Sequence, residues 1–118
     1  MLFTEIMKDN SAFLRCYRKG RFVCESYAAV YFIQNGLPIN RLGITAGKKQ
    51  GNAVERNRIK RIFRAAYRLN EVSFPIGYDI VFVGRNDICE KKSTDIEAFI
   101  KKKVIREMNR PPKKKKKA

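Results

Sequence analysis

Residues 47–70 read GKKQGNAVERNRIKRIFRAAYRLN, and this stretch decides the fold. The basic loop GKKQGN (47–52) opens into a helix predicted from about Ala53 to Leu69. Ile59, Ile62, Phe63 and Ala66 recur at i, i+3, i+4 and i+7, the spacing of one buried helical face. At about 100° per residue, Arg56, Asn57, Lys60, Arg61, Arg64 and Arg68 spread around the opposite side. Arg58 falls on the far flank of the apolar stripe. Strand-like segments stand on both sides of this helix. RLGITA (41–46) precedes it, and YDIVFVGR (78–85) follows. The second is near-continuously apolar, the pattern of an inner strand covered on both faces.

Working outward, residues 22–33, FVCESYAAVYFI, are rich in aromatic and β-branched types and read as a strand or a strand pair. From Tyr27 onward one face carries Tyr27, Ala29, Tyr31 and Ile33, and the other Ala28, Val30 and Phe32. Both faces are apolar enough to be covered, one by protein and the other by a ligand. NGLPIN (35–40) and SFPIG (73–77) are turn or breaker segments. SAFLRCYRKG predicts a short first helix that stops at Gly20, with Asn10 as its cap and Ser11 as the alternative. A last helix is predicted from Ser93 to Met108, with Ile96, Phe99, Ile100 and Val104 inward. The order is α, two or three strands, α, strand, α: a small α/β sandwich with helices against one sheet. Residues 1–110 form one expected domain. The lysine-rich tail, residues 111–118, is expected to be disordered, because two prolines and five lysines cannot pack a core.

The 118 residues carry 27 Lys plus Arg against 11 Asp plus Glu, a net charge of +16. The excess is concentrated. Residues 48–68 hold eight basic side chains against Glu55, and residues 101–117 hold ten against Glu107. These two segments account for the whole net charge, as a binding face and an accessory arm would. The chain has no His, which removes His-dependent triads and imidazole bases. Cys16, Cys24 and Cys89 are odd in number and widely spaced, so they read as reduced thiols of a cytoplasmic protein rather than zinc ligands. The opening MLFTEIMKDN lacks the pattern of a secretory signal, and the longest apolar run, Tyr27 to Ile33, is too short to span a bilayer.

The amides at the start of the central helix, with Lys48, Lys49 and Asn52 beside them, form an expected seat for phosphate. Arg suits phosphate because its planar donors reach two oxygens at once. A salt-bridged, solvated face needs interleaved acids, and Glu55 is the only one in the segment. A DNA-recognition helix is a fairer competitor, but a strand and a basic loop precede this helix rather than a helix and a turn. Phe13, Tyr17 and Tyr31 are candidate stacking platforms, although aromatic residues four apart on a helix are more often core. Asp79 stands alone in its apolar strand. A structural hydrogen-bonding role suits it better than metal binding.

The string GKKQGNAVERNRIKRIFRAAYR, with Arg56, Asn57 and Arg58 at its centre, resembles the signature of the bacterial ribonuclease P protein subunit. The likeness extends through Phe13, Tyr17, Gly20, Tyr31 and LGITA, over most of residues 10–84. The resemblance implies an αβββαβα fold on a small mixed sheet with a left-handed β-α-β crossover. It implies a protein that binds the RNA subunit of ribonuclease P and helps it remove the 5′ leader of precursor tRNA. Arg56, Asn57, Arg58, Lys60, Arg61 and Arg64 would face the RNA, with Lys48, Lys49, Asn52 and Arg68 in support. Phe13, Tyr17 and Tyr31 would line a cleft for the leader. No catalytic or metal-binding side chain is implied, and Mg2+ would belong to the RNA-containing holoenzyme. No DNA or membrane partner is implied. The alternatives are a generic RNA-binding or ribosome-associated protein, a protein-only nuclease and a nucleoid-type DNA binder.

Overall fold

The computed structural model describes residues 1–47 and 51–110. Lys48, Lys49 and the lysine tail of residues 111–118 lie outside the described residues. The elements run β1 (Thr4–Ile6), α1 (Asn10–Lys19), β2 (Arg21–Cys24), β3 (Ala28–Gln34), β4 (Asn40–Thr45), α2 (Ala53–Asn70), β5 (Tyr78–Gly84) and α3 (Ser93–Phe99). The last helix continues through a π-helical segment (Ile100–Val104) into α4 (Ile105–Asn109). The αβββαβα order is present, with one strand added in front.

The sheet order is β1-β4-β5-β3-β2. β1 and β5 both pair in parallel with β4, while β3 runs antiparallel to β5 and to β2. β5 is therefore an inner strand, as its apolar run predicts, and the 22–33 segment is a strand pair. β1 gave no sequence signal, because a three-residue strand containing Glu5 has neither length nor alternation. Its place depends on Glu71, a buried carboxylate in the 3-10 turn after α2. Glu71 accepts from the amides of Leu2 and Phe3, at 2.8 and 2.9 Å, and from the Thr4 hydroxyl at 2.6 Å.

One sheet face carries Val30, Phe32, Leu42, Ile80 and Phe82, and α2 packs there with Ile59, Phe63, Ala66 and Tyr67 fully buried. Large side chains sealed in this way contribute roughly 1.5–3 kcal/mol each. Ile96, Phe99, Ile100, Val104 and Met108 of the last helix complete this core. On the other face α1 lays Ala12 and Cys16 over Val81, with Phe13, Tyr31, Ile33 and Val83 partly covered. The cap of α1 is Asp9, not Asn10: its carboxylate accepts from the Ser11 amide at 3.1 Å. A carboxylate also suits the positive end of the helix dipole better than an amide does. α1 ends at Gly20 because a Cβ there would lie 2.6 Å from the Cys16 carbonyl oxygen and 2.8 Å from that of Phe32.

Asp79 is fully buried on the α1 face. It accepts two hydrogen bonds from the Arg41 guanidinium at 2.8 Å each and one from Asn35 at 3.0 Å. This is the structural role expected from its isolation in the sequence.

Candidate nucleic-acid interface

The first turn of α2 is closed by its own side chains. Asn52 Oδ1 accepts from the Glu55 amide at 2.9 Å, and Glu55 Oε1 accepts from the Asn52 amide at 3.0 Å. This capping box sets the Glu55 carboxylate at the helix entrance, where the sequence suggests a phosphate seat. The preceding Gly51 has φ 127°, a conformation that L side chains rarely adopt. Among the described residues the cationic surface runs along the side of the helix.

Along that side, Arg56, Lys60, Arg64 and Arg68 follow one another at i, i+4 spacing. Asn57, Arg61 and Arg68 are exposed, and Arg56, Lys60 and Arg64 are half-buried. Among the described residues the ion pairs fall on Arg15, Arg41, Lys103 and Arg110, and none on α2. The Arg56 Nε is buried without a hydrogen-bond partner. Arg58 behaves differently from its neighbours. Its guanidinium donates to the carbonyl oxygens of Cys89, at 3.3 Å, and Lys91, at 2.7 Å. It ties α2 to the turn that leads into α3.

The aromatic candidates lie on the α1 face. Cross-strand pairing aligns Phe22, Tyr31, Val81 and Gly43 in one row across β2, β3, β5 and β4. The next row is Cys24, Ala29, Val83 and Thr45, whose short side chains make a shallow floor. Tyr17 meets Tyr31 edge-on, with ring centroids 5.1 Å apart. Phe13 is not part of that pair. Its ring lies over Gly43, where an added Cβ would fall 2.6 Å from it. Phe13 instead shares a hollow of about 210 Å³ with Lys60 and Arg64 of α2, and so joins the aromatic face to the cationic helix. Burial raises the Tyr17 pKa, against an opposing hydrogen bond to Thr45, and keeps the phenol neutral. Burial, then the Asp79 charge, pushes the Cys16 thiol up to about 11.

Sequence reading missed Phe22. It is 58% exposed and stacks on Tyr31 at 5.5 Å with the planes 29° apart. The pairing comes from the strand register, in which the hairpin turning at residues 25–27 sets Phe22 opposite Tyr31. A hollow of about 500 Å³ lies elsewhere and includes Glu5 and Asp9 in its lining, a poor seat for a polyanion.

The fold and the site define a class: a small α+β protein that presents an unneutralised cationic helix beside an aromatic cleft on a mixed sheet. The family model described as Ribonuclease P matches residues 2–109. The ribonuclease P protein component of Pelotomaculum thermopropionicum is 38% identical over 111 residues, 93% of this chain and 99% of the relative. That of Alkaliphilus metalliredigens is 38% identical over 94 residues, 80% of this chain and 85% of the relative. The solved RNase P protein of Thermotoga maritima superimposes with TM-score 0.75 at 28% identity, covering 92% of this chain and 99% of that one. The Staphylococcus aureus RNase P protein gives TM-score 0.73 at 32% identity over 81% and 88%. The chain belongs to the ribonuclease P protein family.

Proposed function

We propose that residues 1–110 act as one RNA-binding domain, the cytoplasmic protein subunit that helps the ribonuclease P RNA remove 5′ leaders from precursor tRNA. The observation that carries this reading is the side of α2, where no cation pairs with a carboxylate among the described residues. Like charges at i, i+4 repel on an isolated helix, and phosphates relieve that repulsion. Arg56, Asn57, Lys60, Arg61, Arg64 and Arg68 meet the RNA subunit in this reading, and Lys48 and Lys49 are proposed to support them. Tyr17, Tyr31 and Phe13 hold the unpaired leader, because aromatic rings stack on any base.

The protein supplies positioning and charge, and the RNA subunit carries out the hydrolysis with Mg2+. Among the described residues no three His, Cys, Asp or Glu side chains gather as metal ligands. The proposal leaves Mg2+ to the RNA. Among the described residues no helix is long and apolar enough to cross a membrane.

Reconstitution tests the reading. The protein alone with precursor tRNA and Mg2+ gives no cleavage, and adding a bacterial ribonuclease P RNA at near-physiological Mg2+ gives 5′-matured tRNA. Cleavage by the protein alone would point to a nuclease. If RNA activity does not change on adding the protein, only generic RNA binding remains.

A further inference from the structure

The aromatic row does not stop at Tyr31. It continues to Phe22 on β2, the outermost strand on that side of the sheet. Phe22 offers a large open face that no residue of the core requires. Its neighbours in sequence point to the opposite face, where the last helix lies. Arg21 donates to the Arg110 carbonyl at 3.2 Å. Val23 helps line a hollow of about 310 Å³ with Lys102, Lys103, Arg106, Glu107 and Arg110. Glu25 pairs with Lys103, and Glu107 with Arg110. Among the described residues, Arg21, Lys102 and Arg106 have no carboxylate partner. One strand thus separates an exposed stacking ring from an unneutralised cationic rim. The lysine-rich tail follows Arg110 directly in the sequence.

Stacking rings that continue into cationic side chains form the arrangement that holds single-stranded nucleic acid without reading its sequence. We infer that single-stranded RNA leaving the Tyr17–Tyr31 pair stacks a further base on Phe22. It then rounds the β2 edge, with its phosphates on Arg21, Lys102 and Arg106. The ligand is the distal 5′ part of a long leader. This inference rests on the leader reading proposed above and extends it by one aromatic subsite and one phosphate track.

The test uses the reconstituted holoenzyme and two precursor tRNAs, one with a short leader that ends at the Tyr31 stack and one with a long leader. Affinity is measured at several salt concentrations. Phe22→Ala should weaken the long-leader substrate about tenfold more than the short one, the value of one stacked base. Phe22→Tyr should restore the difference. Lys102→Ala with Arg106→Ala should lower the salt slope for the long leader by about 1.4, the share of two single-strand phosphates. Tyr17→Ala is the control for the underlying reading and should weaken both substrates. If Tyr17→Ala acts and Phe22→Ala does not distinguish the two leaders, the extension is overturned and the leader cleft stands. If the rim variant loses affinity equally at both lengths, the rim binds the RNA subunit and the track is overturned. If Tyr17→Ala also has no effect, the leader reading fails with it.

Discussion

Arg56, Asn57 and Arg58 are consecutive in the sequence but have different surroundings. Arg58 spends its donors on two backbone carbonyls, while Arg61, one turn further along, is exposed. Arg58→Ala should therefore cost about 1–2 kcal/mol of stability, the value of charged hydrogen bonds that are partly solvated. Arg61→Ala should leave stability within about 0.5 kcal/mol and weaken RNA binding. Urea denaturation and a binding titration on both variants check this division, and equal stabilities for the two would refute it. Glu71 gives a second residue-scale prediction. Burial raises its pKa, but hydrogen bonds from Thr4, Phe3 and Leu2 outweigh it and hold the carboxyl below its ordinary value. A depressed folded pKa means the unfolded chain takes up the proton first. The resulting stability is complete above the ordinary glutamate pKa of about 4.3 and drains away as pH falls through the folded value. Urea midpoints of the wild type should fall over this acid range. The gap between the wild type and Glu71→Gln should shrink there, and a constant gap would contradict the account.

At the scale of the element, α2 has one face adapted to the protein and one that the protein leaves unbalanced. Ile59, Phe63, Ala66 and Tyr67 are sealed in the core, while Lys60 stands between Arg56 and Arg64 at i, i+4 spacing. Each like-charge neighbour costs roughly 0.2–0.5 kcal/mol. Lys60→Gln should raise the stability of the isolated protein by about 0.5 kcal/mol and weaken its assembly with the RNA. Chemical denaturation paired with a gel-shift titration measures both, and a loss of stability would show that Lys60 has a partner within the fold. α2 was the most legible element because its apolar stripe has helical period and no competing pattern. The stripe read from sequence ended at Ala66, and the structure adds Tyr67. That ring is fully buried, and its hydroxyl lies 2.7 Å from the Thr4 hydroxyl, a contact across 63 positions.

At the scale of the whole molecule, the proposed RNA binding rests on where the charge lies. The described α2 cations sit beside one side of the sheet, with the aromatic row on the α1 face and the last helix's cations at the β2 edge. If the five cationic side chains of α2 proposed to meet the RNA, Arg56, Lys60, Arg61, Arg64 and Arg68, each neutralise one phosphate, the slope of log affinity against log salt should be about −3.5 to −4.5. Titrations across a salt series measure it. A slope near zero would remove the electrostatic account of assembly.

Elements whose signals are local can be read from the order of residues. α2, the strand character of residues 22–33, the inner strand β5 and the concentration of charge along one helix all follow from side-chain period and composition. Tertiary structure alone decided what long-range contacts decide. β1 exists because Glu71 collects the amides of Leu2 and Phe3 and the hydroxyl of Thr4. Arg58 is a tether because the backbone turn before α3 comes within reach of α2. Phe22 joins the aromatic row because strand register sets it opposite Tyr31. The physical reason is the same in each case: a polar or aromatic side chain has no role of its own until another part of the chain supplies its partner.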